Sequence, residues 1–355
     1  MKILKKIIAL IIIVLMTLTN TAKANIFSIS SFNTNNKNIV RAAVLLYSFD
    51  DLFMVQIKQN LEAIERENKD KIRFTFYDGK NNIAVQNETI DSISRSNTDL
   101  IIANLADISE PFVENVILSV KPKNIPLILL SVDPQAVSKA PQYYDKVVFT
   151  LENANEAAAV QAKILIDLWN TNKKTLDKNN DNILQYVLLR GESDNPVAIN
   201  RTKYVISALN NAGIKTQELS LVNANWLKEL ARNSVDNLFL KYGGSIEAII
   251  SNNDAMAIGA IEALQKYGYN KGNKTKSIAV VGIDALPEAK ELVDKGFMTG
   301  TVIQDPKTVA ELLYRVGMNL VNNLKPTENT DYKIVNGQII IPFKYKAYTS
   351  NTNAL

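Results

Sequence analysis

Residues 40–67, VRAAVLLYSFDDLFMVQIKQNLEAIERE, decide the fold. The first part, 40–47, is an almost continuous apolar run of strand length, the pattern of a strand buried on both faces. The last part, 53–67, places Phe53, Ile57, Leu61 and Ile64 at helical spacing, so one face of a helix is apolar. A buried strand running through a short polar turn into an amphipathic helix is half of a βαβ unit, and the unit recurs. Strands are expected at 72–77, 100–103, 127–131 and 147–150, with a helix at 83–96. A second series opens with a helix at 154–169 and continues with strands at 186–189, 218–221, 248–251, 278–281 and 300–303. Asp305 and Pro306 start another helix reaching residue 322, and a final pair of short β segments is expected near 339–341 and 344–348. The fold class is α/β, with two lobes, each an open and mostly parallel sheet flanked by helices.

Working outward, residues 1–24 read as a secretory signal peptide. Lys2, Lys5 and Lys6 precede an unbroken apolar run at 7–16, and Ala22-Lys23-Ala24 supplies the small residues of a cleavage site. The run is short for a span, although an uncleaved anchor using residues 17–22 as well is the alternative. A polar leader follows at 25–38. The expected first lobe is 39–150 plus 306–341, and the second is 151–305 plus 342–355. Crossings near 150–153, 304–306 and 341–343 form a hinge of three segments.

The formal charge of +4 belongs to the leader: residues 1–24 hold four lysines and no acids, so 4 − 4 = 0 remains after cleavage. A neutral body without a basic stripe argues against nucleic acid as a partner. With no cysteine and no histidine, disulfides, thiol nucleophiles, lipid-modified cysteine and imidazole acid–base chemistry are all excluded.

Polar residues recur where strands give way to helices. Asp50 and Asp51 follow the first strand and precede Phe53, and a carboxylate beside an aromatic ring suits a polyhydroxylated ring. Read alone, Asp51 is equally a helix N-cap and Phe53 a core residue. Arg201 sits in the first turns of the helix after residue 195 and offers a planar fork to the cleft, or is an ordinary surface arginine. Asn253 and Asp284 end two strands of the second half and have the same N-cap alternative. Trp226 is either a stacking platform or part of the core.

Residues 177–185, DKNNDNILQ, carry oxygen side chains at loop positions 1, 3, 5 and 9, namely Asp177, Asn179, Asp181 and Gln185. Ile183 at position 7 can lend its carbonyl, and Asn182 holds the sharp-turn position. This matches the first nine positions of a calcium loop, but Leu188 stands where the bidentate Glu belongs. An Asn-rich polar loop is the alternative.

Together YSFDDLFM (47–54), QYVLLRGE (185–192), ISNNDAMAIGAIEAL (250–264) and VGIDALPEA (281–289) resemble the periplasmic galactose/glucose-binding proteins of bacterial ABC sugar transporters. These are type I periplasmic binding proteins, and the resemblance spans residues 39–345. It implies an exported, non-catalytic monomer that closes on a monosaccharide and hands it to an ABC permease. A sensor role facing a chemoreceptor or membrane kinase is the rival reading. The resemblance places the sugar between Phe53 and Trp226, with Asp51, Arg201, Asn253 and Asp284 as hydroxyl partners. It also implies structural calcium held by Asp177, Asn179, Asp181, Ile183, Gln185 and a remote Glu247. Four sugar-contacting positions depart from the family pattern. Ser131 and Asn195 replace an Asn and a His at the hydroxymethyl end, Val197 replaces an Asp at the anomeric hydroxyl, and Gln304 lengthens an Asn. A glycosidase using Asp51 and Asp284 is a weaker rival, because their positions match hydroxyl acceptors. A repressor of the same fold would need a DNA-binding domain where the signal peptide stands.

Overall fold

The run at 40–47 becomes β1 (Val40–Leu46), in which every residue but Arg41 is buried. β2 (Ile72–Asp78) lies on one side of it and β3 (Leu100–Asn104), β4 (Leu127–Leu130) and β5 (Val147–Leu151) follow on the other, all parallel. The edge strand β2 alternates buried and exposed residues at its start, whereas β3 and β4 are buried throughout, as their flanked positions demand. Helices α1 (Leu52–Glu67), α2 (Ile83–Arg95) and α3 (Glu110–Val120) connect these strands. α1 buries Phe53, Ile57, Leu61 and Ile64, the stripe its sequence predicts. Truncating the fully enclosed Ile57 or Leu61 to Ala should cost about 2–5 kcal/mol. The computed structural model describes residues 39–132 and 144–350. The expected signal peptide at 1–24 and leader at 25–38 lie outside the described residues, as do 351–355.

The second half repeats the plan through α4 (Ala154–Asn172), β6 (Ile183–Arg190), α5 (Pro196–Asn211), β7 (Lys215–Asn223), α6 (Lys228–Tyr242), β8 (Ala248–Ser251), α7 (Asp254–Lys266), β9 (Ala279–Asp284), α8 (Pro287–Asp294) and β10 (Gly300–Ile303). The lateral orders β2-β1-β3-β4-β5 and β7-β6-β8-β9-β10 are the same by rank. Each sheet therefore reverses direction beside its first strand, between β1 and β3 or between β6 and β8. In open parallel sheets ligands bind at such a switch point, beyond the carboxyl ends of the strands.

The chain passes between the sheets three times. It leaves the first sheet after β5 and returns after β10 through α9 (Pro306–Val321), which packs on α1. β11 (Ile334–Val335) and β12 (Gln338–Ile340) then extend the first sheet, β12 lying parallel to β5. Finally β13 (Lys346–Tyr348) pairs antiparallel with β10 in the second sheet. The two last β segments, expected as a pair, thus belong to different sheets. Ile341, Phe343 and Tyr345 between them are buried and anchor the third crossing. The expected hinge segments coincide with these crossings, and one helix, α3, and one short strand, β11, were given no range by the sequence.

Candidate functional site

At the end of β1 the chain turns through Ser48–Asp50 into α1, and Asp51 caps that helix. Its Oδ1 accepts from the backbone N–H of Phe53 at 2.8 Å and of Met54 at 2.9 Å, and its Oδ2 accepts from the Tyr47 hydroxyl at 2.5 Å. The N-cap reading of Asp51 is therefore correct, and it does not exclude the other. The cap holds a buried carboxylate at the mouth of the strand, beside the buried ring of Phe53. Burial pushes the Asp51 carboxyl above its ordinary range, against those hydrogen bonds and the charge of Arg201.

The second lobe supplies the facing wall. After β6 the backbone of Gly191 lies close against the indole of Trp226, since a Cβ there would stand 2.2 Å from Cε2. Trp226 itself takes a left-handed backbone (φ 65°), as does Asn225 before it (φ 50°), an uncommon state for a bulky residue. Asn253 caps α7 by accepting from Met256 N–H at 3.0 Å, and its Nδ2 donates to the Trp226 carbonyl at 3.1 Å. The asparagine thus fixes the helix start and the tryptophan together. Asn195 likewise caps α5 through Val197 and Ala198 N–H. Asp284 caps nothing: α8 starts from Leu286 without a side-chain cap. Asp284 ends β9 in a strained conformation (φ 120°), is 5% exposed, and accepts no hydrogen bond among the described residues. Burial drives its carboxyl far upward, more than the nearby Arg201 can offset, and the charges of Asp254, Asp51 and Glu152 add to the rise.

Arg201 is buried at the point where the crossings converge. Its Nη2 donates to Glu152 Oε1 at 2.6 Å and to Gln304 Oε1 at 2.7 Å, while Nη1 donates to the Asn252 carbonyl at 2.7 Å. Gln304 Nε2 closes the ring by donating to Glu152 Oε2 at 2.7 Å. Glu152 lies on the first crossing and Gln304 on the second. The fork of Arg201 is therefore committed to the hinge, and only its buried Nε lacks a partner. The guanidinium also lies 5.9 Å from the Trp226 ring. The surface-arginine alternative is excluded.

The space between the lobes amounts to about 680 Å³ with the open solvent at its mouth included. Asp51, Phe53 and Ser131 line it from the first sheet, and Asn195, Arg201, Trp226, Asn253, Asp284 and Gln304 from the second or its crossings. Every sequence-selected residue of this group thus meets at one place, and so does Val197. The sequence reading passed over Tyr47, Asn104, Glu152 and Glu192, which line the same cavity. The signal for three of them was position: Asn104, Glu152 and Glu192 follow or end a strand, as Asp51 and Asp284 do. Asn81 of the first lobe and Asn195 and Trp226 of the second draw the Glu192 carboxyl down. Burial and the Asp194 charge outweigh them and push its carboxyl up.

The model of the periplasmic binding protein domain matches residues 42–325. The chain belongs to the periplasmic binding protein family. The D-galactose/methyl-galactoside binding periplasmic protein MglB of Haemophilus influenzae is 32% identical over 315 residues, which are 88% of this chain and 90% of that protein. A periplasmic solute-binding protein from Actinobacillus succinogenes, solved with bound D-allose, matches at TM-score 0.70 and 18% identity, covering 89% of this chain and 99% of its own. A solute-binding protein from Bacillus halodurans with bound myo-inositol matches at TM-score 0.69 and 22% identity, covering 90% and 97%. At these identities the solved structures speak to the fold.

In this periplasmic binding protein the loop 177–185 lies at the start of β6, the end of the strand away from Gly191 and the cleft. Asp177 is buried and accepts from Asn182 N–H, Asn182 being left-handed (φ 64°) as the turn requires. Asp181 accepts from Ile183 N–H at 2.8 Å and from Gln185 Nε2 at 2.7 Å. Asn179 bonds to Asp181 through its amide. Glu247, distant in sequence, accepts from the N–H groups of Lys178 at 2.6 Å and Gln185 at 3.0 Å. The side-chain donors are all hard oxygens, and the buried Gln185 Oε1 has no partner among the described residues, so the donor chemistry is of the kind calcium takes. Against this, Lys173 Nζ stands 3.4 Å from Asp177, and no three acidic side chains among the described residues gather as a metal centre.

Proposed function

We propose that this protein is an exported binding protein that captures one sugar in the hexose class by closing its lobes and delivers it to an ABC permease. The observation that carries the reading is a single cavity to which the first lobe contributes Phe53 and Asp51 and the second Trp226, Asn253 and Asp284. Two aromatic faces suit the C–H faces of a pyranose, and the polar groups between them suit its hydroxyls. The resemblance to a galactose- and methyl-galactoside-binding relative supports the same class. A sugar touching both lobes favours the closed form over the open one by that difference in contact, which is the working stroke.

The anomeric end differs from the family pattern. Val197 cannot accept a hydrogen bond, so a free anomeric hydroxyl placed against it loses about 1–3 kcal/mol, or roughly ten- to a hundredfold in affinity. A sugar alkylated at that position avoids the loss. Calcium belongs to the reading as a structural ion: Asp177, Asn179, Asp181, the Ile183 carbonyl, Gln185 and Glu247 would hold it, and it would neutralise their charge away from the cleft. The protein acts as a monomer and performs no chemistry on its ligand.

The test is a thermal-shift screen of monosaccharides and methyl glycosides, followed by titration calorimetry of the hits. A hit that Trp226→Ala abolishes is expected. A folded protein that no sugar stabilises, or that releases product from an aryl glycoside, would overturn the reading.

A further inference from the structure

Adjacent residues at the start of α7 serve different sides of the site. Asn253 lines the cavity and fastens the Trp226 carbonyl at 3.1 Å. Asp254 does not line the cavity; it is wholly buried and bonds instead to β10 and to the turn after β9. Its Oδ1 accepts from the Thr301 hydroxyl at 2.6 Å and its Oδ2 from the Leu286 N–H at 2.9 Å. The Thr301 oxygen in turn accepts from the Ala285 N–H at 3.3 Å, so the hydroxyl proton is directed to the carboxylate. Gly282, which pairs with Thr301 across the sheet, makes the approach possible, because a Cβ there would stand 2.1 Å from Asp254 Oδ1.

These bonds end on the N–H groups of the two residues that follow Asp284. Asp284 and Ala285 both have positive φ, 120° and 55°, and neither is glycine. Two such residues in succession persist only where their surroundings over-determine them. The helix that follows gives no help, since α8 starts from Leu286 without a side-chain cap. Asp254 takes that place from across the sheet, satisfying the Leu286 N–H directly and the Ala285 N–H through Thr301. Without the pair, two buried N–H groups would lose their partners and the turn would relax toward a commoner conformation, carrying the Asp284 side chain with it.

We infer that Asp254 and Thr301 are positioning residues of the ligand site, a buried carboxylate–hydroxyl pair that holds the strained turn 284–286 and so aims the Asp284 carboxyl at the ligand hydroxyls it accepts. Neither touches the ligand. The inference rests on the sugar-binding reading and deepens it: discrimination at those hydroxyls depends on two residues outside the cavity.

The experiment is titration calorimetry on the mature chain at pH 8, above the value of about 7 to which burial lifts the Asp254 carboxyl. The probes are galactose, glucose and their methyl glycosides, each with its 2-, 3-, 4- and 6-deoxy forms. Asp284→Asn marks the hydroxyls that Asp284 accepts, as those whose removal costs affinity in the wild type and not in the variant. Thr301→Val removes the positioning hydroxyl and should weaken the parent sugar at least fivefold. Deoxy forms lacking a marked hydroxyl should bind the wild type and Thr301→Val within twofold of each other. Added to Asp284→Asn, Thr301→Val should cost nothing further. Thr301→Ser, which keeps the hydroxyl, should restore affinity to within twofold of the wild type. Asp254→Asn cannot accept at both positions, so it should reproduce Thr301→Val, and it covers the case in which that variant fails to fold by its melting curve. A loss spread evenly over all hydroxyls would overturn the inference and leave the sugar reading standing. So would a Thr301→Ser as weak as Thr301→Val, or a folded Thr301→Val with wild-type affinity. If no sugar binds the wild type, both fall together.

Discussion

Gly191→Ala should damage ligand binding without touching the ligand. The added Cβ would stand 2.2, 2.3 and 2.6 Å from Cε2, Cζ2 and Cδ2 of Trp226, so the indole must retreat by at least 3.4 − 2.2 = 1.2 Å to reach an ordinary contact. It has little freedom to do so. Its backbone is left-handed, its carbonyl is held by Asn253 at 3.1 Å, and the Arg201 guanidinium lies 5.9 Å from the ring. Overpacking of this kind costs about 1–3 kcal/mol of folding stability. A displaced stacking face forfeits about 1 kcal/mol of ring contact, or roughly five- to tenfold in affinity. Urea unfolding and calorimetry with the tightest sugar from the screen measure the two effects separately. Gly244→Ala, where an added Cβ meets nothing within 4 Å, is the control and should change neither. If Gly191→Ala matched the wild type within twofold in affinity and about 0.5 kcal/mol in stability, Trp226 would not be the wall of the site.

Val197→Asp restores an acceptor at the anomeric end and should tighten free hexoses about tenfold relative to their methyl glycosides, read by competition calorimetry. Arg201→Lys cannot serve Glu152, Gln304 and the Asn252 carbonyl at once, so it should cost about 3–5 kcal/mol in urea unfolding by leaving Glu152 buried without its fork. Asp254, fully buried and pushed up to about 7 by desolvation, holds a proton in the fold that the unfolded chain loses near 3.8. Between those values its contribution to stability therefore falls as pH rises, by up to about 1.4 kcal/mol per pH unit, and Asp254→Asn should flatten that slope in melts from pH 4 to 8. Chelation should lower the melting temperature and leave sugar affinity within threefold, with calcium restoring stability where magnesium does not. An unchanged melting temperature would remove calcium from the account.

How much of this was legible before the structure depends on which physical cause acted locally. The inner parallel strands of both sheets are buried on two faces, so their apolar runs mark them to within a few residues, and the half-exposed edge strands β2 and β7 show only a part of that signal. α3 escaped notice although it buries Phe112, Val113, Val116 and Ile117. The fate of the last two β segments could not be read, because their separation depends on Ile341, Phe343 and Tyr345 crossing between sheets. Site residues announced themselves by position at strand ends, but charge alone did not distinguish Glu152 or Glu192 from solvated acids. That distinction requires knowing that Arg201 turns toward the hinge, which only packing across long sequence separations decides.

The choice between cap and ligand contact, posed from sequence for Asp51, Asn253 and Asp284, proves to be no choice for the first two, and Asn195 caps in the same way. Capping spends some acceptor capacity of the side chain on fixed backbone N–H groups and thereby locks its rotamer at the cleft. The ligand then meets a group already ordered, with little side-chain entropy left to lose on closure. Asp284 is the exception: it caps nothing, carries a strained backbone and, among the described residues, keeps all its acceptors, so the binding energy most sensitive to ligand chemistry should concentrate there. Rigid capped members would set ring orientation, and the one carboxylate not spent on a cap would be left to choose among the ligand's hydrogen-bond donors.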